Sequence, residues 1–464
     1  MRPLVAGGFV VAGAAGIALS AAVGTGGDIV ATRWSILVRL AAWSVVWVVA
    51  VACALRLPRR VALGGILLAG VALRLAAIVG PPVLSDDFYR QAWDGRVQAA
   101  GINPYRYAPT APELRSLREP WLWPDDAGCA SLGRPPECTF INRPTVRTIY
   151  PPLAQAWFAA VYRVSGIDSR HKAWQVAGLA GDLVLVGLLP LALRAWGRDE
   201  RWTALYALSP FPVVEVVNNG HLDGLAAVFV VAALLAAARR RPAWAGALVG
   251  GAVLIKLYPA VLLVGLAGLV GAAGTLRRRW SPLIRGTVAA GAVVAVGYLP
   301  HVIGVGAKVL GYLPGYLREE NYDGGGRYLL AGILGLPGGP TAALAAAGLG
   351  AVLVWVLARR PDVPRAWAAL LGGLLLATTP VQPWYAVTLV AVATVAALPA
   401  WPLLAAAAYP YFFAVILAAR HTVAIGRISY GLAFVAVLVG AARRRARRPP
   451  SPDHTPEIPA APVA

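Results

Sequence analysis

Charge is scarce in this chain: Asp, Glu, Lys and Arg make up 14% of its 464 residues, against 58% hydrophobic. A soluble globule needs more polar surface than that, so a soluble fold is excluded and lipid is the solvent for most of the chain. Lysine is nearly absent, with 3 Lys against 39 Arg. No glycine loop followed by Lys and Ser or Thr occurs, so no nucleotide site is implied. The first apolar stretch, Leu4 to Val23, has no clean cleavage site leading into a polar region, and it reads as a retained span rather than a signal peptide. No repeat recurs at a fixed period.

What is present is a succession of apolar runs, each near the roughly 20 residues a transmembrane helix needs. The net charge of +21 sits in clusters between them, at Arg56, Arg59 and Arg60, Arg239 to Arg241, Arg277 to Arg279, Arg359 and Arg360, and Arg443 to Arg448. Clusters that follow spans mark cytoplasmic ends and argue against a nucleic-acid partner. The expected class is all-α polytopic transmembrane, a helix bundle of roughly 12–14 spans.

The runs Leu4 to Val23, Ile36 to Leu55 and Val61 to Val79 are followed by an external loop over 80–149. Further runs are Trp174 to Leu193, Ala204 to Val217, Leu222 to Ala238, Trp244 to Ile255, Leu257 to Gly271 and Ile284 to Ile303. Those beyond Pro340 close near Arg359, Thr378, Pro399, Ala419 and Gly440. Pro152 to Val164 must lie in the interface, or half-inserted, for the Arg clusters to stay inside. This divides the chain into an N-terminal pair of spans (1–60), a main membrane domain (61–448) and a Pro- and Ala-rich cytoplasmic tail (449–464) that cannot bury enough apolar surface to order itself.

The external loop opens at once on Asp86 and Asp87. A carboxylate near hydrocarbon and beside a like charge has its pKa pushed up, which suits a general base; the alternative is a solvated cap for the helix that follows. Asn219, His221 and Asp223, in VVNNGHLDG, form a polar break between two apolar runs, either functional or a packed kink. Lys256, in LIKLYP, has no acidic residue close in sequence and wants an anionic partner, for which a phosphate would serve; the alternative is snorkelling to the surface. Arg90 and Arg96 share the loop segment of the acidic pair and are further phosphate candidates. Tyr258, with Gln382, Trp384 and Tyr385 of TTPVQPWY, and the stretch REENYDGGGRY (318–328), could shape a sugar pocket or an interfacial aromatic belt. Cys129 and Cys138 flank a turn-forming stretch in the same loop and suit a disulfide better than a metal.

In their order, the acidic pair, NPY (103–105), IYPPLAQ (149–155), NGHLDG (219–224), KLYP (256–259) and QPWY resemble the landmarks of GT-C membrane glycosyltransferases. The match is to bacterial polyprenyl-phosphate-mannose-dependent mannosyltransferases in particular. The catalytic subunit of the GPI mannosyltransferase I of eukaryotes is similar. The resemblance implies a GT-C-like bundle with a large first external catalytic loop in the cell membrane, and inverting transfer from a β-linked polyprenyl phosphate sugar to a glycan or glycolipid acceptor. Asp86 matches the leading acidic position. Relatives carry Asp-X-Asp where this chain has Asp86-Asp87-Phe88, so the second acidic role falls to Asp87. Lys256 matches the lysine before Tyr-Pro and implies a donor-phosphate role, with His221 or Asn219 at sugar or acceptor. Mannose is the implied sugar, with glucose and arabinofuranose open. No cofactor is required, although a divalent cation could sit at the acidic pair. The rival reading is a transporter or flippase of lipid-linked sugars, whose mark would be charge buried in mid-span with access from both sides.

Overall fold

A computed structural model describes residues 2–166, 170–270 and 275–446. The tail expected over 449–464, and the end of the last Arg cluster, lie outside the described residues. Those residues form helices and connecting turns, with no strand among them. Three long helices open the chain: α1 (Arg2–Gly24), α2 (Ile29–Ala54) and α3 (Arg59–Ala77). At 1.5 Å per residue the shortest of them, 19 residues, spans about 28 Å, close to a bilayer core. The second starts seven residues before the expected Ile36, because Asp28 caps it, accepting from the N–H groups of Val30 and Ala31 at 2.8 Å each.

The segment 80–149 carries a helix, α4 (Asp87–Ala99), and a short one, α5 (Asp126–Ser131), and a disulfide joins Cys129 to Cys138. The next helix, α6 (Pro152–Ser165), packs on α4, and α7 (His171–Ala195) follows. Gly95 permits the α4–α6 contact: a Cβ there would run into the carbonyl of Phe158.

By length and composition seven helices can cross a membrane, or eight with the bent pair Pro210–Asn218 and Asp223–Ala238, which turns through 119°. Five further apolar helices have only 10–17 residues. The expected count of 12–14 therefore exceeds the helices long enough to span alone. The polar breaks NNGHLDG, KLYP and QPWY cut the later apolar runs into short helices and turns that pack on each other. Around the first break the backbone widens into a π-helical turn over Val213–Asn218, with the N–H of Asn219 bonded to the carbonyl of Val214 at 2.9 Å. Gly220 then takes φ 72°, a left-handed conformation that glycine adopts without penalty.

A fully buried charged pair joins two of the long helices. Arg74 of α3 and Asp182 of α7, both fully buried, meet at 2.6 Å, and Tyr206 donates to the same carboxylate at 2.5 Å. Neither Arg74 nor Asp182 lines the large cavity described below, so this pair is a clamp between helices rather than a bilateral access route.

Candidate active site

Two of the polar breaks, KLYP and QPWY, border a cavity of 1380 Å³, and NNGHLDG packs behind it. One wall is the start of α4 with Asp86 and Asp87, a second comes from the turns and loop over 142–151, and a third carries Lys256 and Tyr258. The last is formed by Tyr316, Glu319, Glu320 and Arg327 together with Gln382, Trp384 and Tyr385. At one end the lining becomes apolar, with Leu371, Leu374, Leu375, Phe412, Val415 and Ile416.

Asp86 occupies the residue before α4 but its side chain makes no capping hydrogen bond to the helix, and the N–H of Asp87 donates to Ser85 Oγ at 3.2 Å. The two carboxylates share one donor. Asn142 Nδ2 lies 3.2 Å from Asp86 Oδ1 and 2.6 Å from Asp87 Oδ1. Asp86 opens onto the cavity while protein crowds it from behind. That burial, with the neighbouring charge of Asp87, pushes its pKa above the ordinary aspartate value, and the Asn142 hydrogen bond only partly offsets the rise.

Lys256 is not a lone ammonium. Its Nζ lies 3.3 Å from Asp223 Oδ2, a carboxylate with no exposure, and Tyr258 donates to Asp223 Oδ1 at 3.3 Å. The partner was hidden from sequence because it sits on the preceding bent pair and reaches the lysine only through the fold. Lys256 still borders the cavity, between the rings of Tyr150 and Tyr385 at 5.6 and 5.3 Å.

The two arginines proposed beside it are spent elsewhere. Arg90 lines the cavity, but its guanidinium pairs with Asp94 at 3.0 Å and donates to the carbonyls of Arg143 and Val146, which holds the 142–151 run against α4. Arg96 is outside the cavity lining, paired with Glu119 at 3.3 Å and over the ring of Tyr162. Asn219 is buried, and its side-chain oxygen accepts from the N–H groups of Val83 and Leu84 at 3.0 Å, so it positions the loop before the acidic pair. His221 and Asp223 lie behind the wall rather than in it; His221 stacks on Trp384 with ring centroids 3.9 Å apart.

Other residues complete the site. Arg143 forms a two-pronged bridge to Glu319 at 2.5–3.0 Å, linking the first loop to the later helix Leu313–Glu319 across the cavity. Glu320 accepts from Arg327 at 2.5 Å and from Gln382 at 3.0 Å. The stretch 318–328 carried a legible signal in its polar and aromatic density; Asn142 carried none, being one polar residue in a long loop. Among the described residues no group of three metal-ligating side chains is assembled, and the acidic pair is engaged by the Asn142 amide.

The arrangement gathers carboxylates, one with a raised pKa, a cation and a set of apolar side chains on the lining of one cavity. No curated protein matches the chain. Among solved structures, the crystal structure of ArnT from Cupriavidus metallidurans bound to undecaprenyl phosphate is similar at a TM-score of 0.43. It shares 16% identity over 83% of this chain and 78% of that one. The model of glycosyltransferase family 87 matches residues 148–380, a span that begins after the acidic pair and holds NGHLDG and KLYP. Matched by that model over half its length, the chain belongs to glycosyltransferase family 87, of the GT-C class.

Proposed function

We propose that this glycosyltransferase takes its sugar, mannose before other hexoses, from a polyprenyl phosphate and passes it with inversion to a glycan or glycolipid acceptor at the external membrane face. The observation that carries the reading is the shared cavity of Asp86, Asp87 and Lys256, which runs on into the apolar wall of Leu371, Leu374, Phe412 and Ile416. A prenyl chain suits that wall and its phosphate suits Lys256, whose charge is only part-neutralised by Asp223 and stays at the cavity surface. The Arg clusters that follow spans favour a cytoplasmic assignment for the opposite ends.

In this mechanism the acceptor hydroxyl attacks the anomeric carbon opposite the phosphate. The carbon–oxygen bond to phosphate breaks with its electron pair leaving on the phosphate, which Lys256 stabilises, and Asp86 takes the hydroxyl proton. The raised pKa of Asp86 brings it closer to the proton it must accept. Asn142 and Asp87 orient that carboxylate, and Trp384, Tyr385 and Gln382 face the space where the sugar would rest.

The test is transfer in membrane vesicles supplied with radiolabelled polyprenyl-phosphate mannose, comparing the natural chain with Asp86→Asn at equal expression. Labelled glycan from the natural chain alone supports donor and base together. Equal transfer by both removes Asp86 from the role, and transfer by neither removes the donor assignment.

A further inference from the structure

His221 entered as a candidate sugar or acceptor contact, yet it is 3% exposed and absent from the cavity lining. Every edge of its ring is engaged. Nδ1 lies 3.1 Å from the carbonyl of Glu215 and 3.2 Å from Glu215 Oε2, both acceptors, so the proton belongs on Nδ1. Glu215, fully buried on the π-helical turn, is fixed in turn by Tyr409, whose hydroxyl donates to Oε1 at 2.6 Å. On the other side Nε2 lies 3.1 Å from Ser85 Oγ and 3.7 Å from Asp87 Oδ2. Ser85 Oγ already accepts the N–H of Asp87, and its own proton is free to reach Nε2. The donors therefore converge on Glu215 from both sides, Tyr409 on one and the series Asp87 N–H, Ser85 and His221 on the other.

The flat face of the ring has a second contact. Trp384, which lines the cavity, lies on it at 3.9 Å and 19° from parallel. One buried side chain thus touches both the start of α4, which carries the acidic pair, and Trp384 of the aromatic wall.

Resting on the reading above, we infer that His221 is a positioning residue which sets the distance between the acidic pair and the Trp384 ring. Its Nε2 edge, through Ser85, places the carboxylates that act on the acceptor, and its face places the ring on which the donor sugar rests. The two duties use different parts of the imidazole and are separable by substitution. His221→Phe keeps a flat ring under Trp384 but loses the edge. His221→Gln keeps an acceptor toward Ser85 but loses the face. Ser85→Ala cuts the edge link while leaving Glu215, His221 and Trp384 in place.

Misplacing a reacting group by about 1 Å can cost 100-fold in rate, so His221→Phe and Ser85→Ala are expected to lower kcat for mannose transfer by about 10- to 100-fold with donor KM within about twofold. His221→Gln is expected to recover most of kcat and raise donor KM by about 5- to 10-fold, the loss of an aromatic contact worth about 1 kcal/mol. A purely structural histidine would lower the amount of folded enzyme in all three without splitting kcat from KM. Equal kinetic constants in Ser85→Ala and the natural chain overturn the edge role, whether or not the His221 variants fold. Unchanged donor KM in folded His221→Gln overturns the face role. These failures stand apart from failure of the donor assignment, in which the natural chain itself would not transfer mannose.

Discussion

Replacing Lys256 with Met while Asp223 stays would strand a carboxylate that has no exposure to water. Breaking a buried pair from one side costs about 3–5 kcal/mol, because the surviving charge keeps its desolvation penalty without its partner. One hydrogen bond remains to Asp223, from Tyr258, and only partly relieves it. Lys256→Met therefore confounds two effects: lost stability, and lost contact with donor phosphate. The double variant Lys256→Met with Asp223→Asn separates them, since both charges leave together and most of the stability returns. A charge-assisted hydrogen bond to phosphate is worth about 1.5–3 kcal/mol, or about 10- to 150-fold in kcat/KM. The double variant should thus melt within a few degrees of the natural chain in detergent and still transfer sugar about 10- to 150-fold less efficiently. Transfer at the natural kcat/KM by the stable double variant would refute the phosphate role and leave Lys256 as one half of a structural pair.

Other consequences follow from the same geometry. Burial and Asp87 hold the pKa of Asp86 above the ordinary 3.8, so its basic form, and with it transfer, is lost as pH falls through that raised value. In a pH–rate profile Asp87→Asn should move the acid limb to lower pH and Asn142→Ala to higher pH. By the same sign the folded chain holds this proton more tightly than the unfolded one and loses stability on ionising it. Asp86→Asn should therefore unfold at a slightly higher temperature at neutral pH while transferring no sugar. Arg74→Met should cost about 3–5 kcal/mol by stranding Asp182, seen as a large drop in Tm, and Arg74→Met with Asp182→Leu should recover much of it. Reducing the Cys129–Cys138 bridge opens a loop of nine-residue separation, for which chain entropy gives about 2.7 kcal/mol, so the loop should become protease-sensitive before the bundle melts.

Much of the site could be read from residue types at polar breaks. Asp86, Lys256, Tyr258, Gln382, Trp384 and Tyr385 stand where apolar runs stop, and the fold gathers all six at one cavity. Local sequence could not reveal which charges neutralise each other. Asp94 lies one helical turn from Arg90 and consumes it, an i,i+4 pair open to inspection, whereas Glu119 reaches Arg96, Asp223 reaches Lys256 and Glu319 reaches Arg143 only after the chain has folded. Exposure was equally hidden. Asn219, His221 and Asp223 look alike as a polar break, but the π-helical turn directs them behind the cavity wall, where they hold loops and rings. The bends within the apolar runs were equally hidden, since a hydropathy run does not reveal that a 119° bend divides it.

The exposure of Asp86 toward the open cavity bears on how the enzyme sits in the energetics of its membrane. A base that collects a proton on every turnover must discharge it before the next, and the direction of discharge decides whether charge crosses the bilayer. On the proposed reading Asp86 takes its proton from the acceptor at the open cavity, and the fully buried Arg74–Asp182 pair, outside that cavity, is closed on itself and offers no path onward. The proton thus returns to the compartment that supplied the hydroxyl. Turnover in sealed vesicles is then electrically silent, and collapsing the membrane potential leaves the rate unchanged.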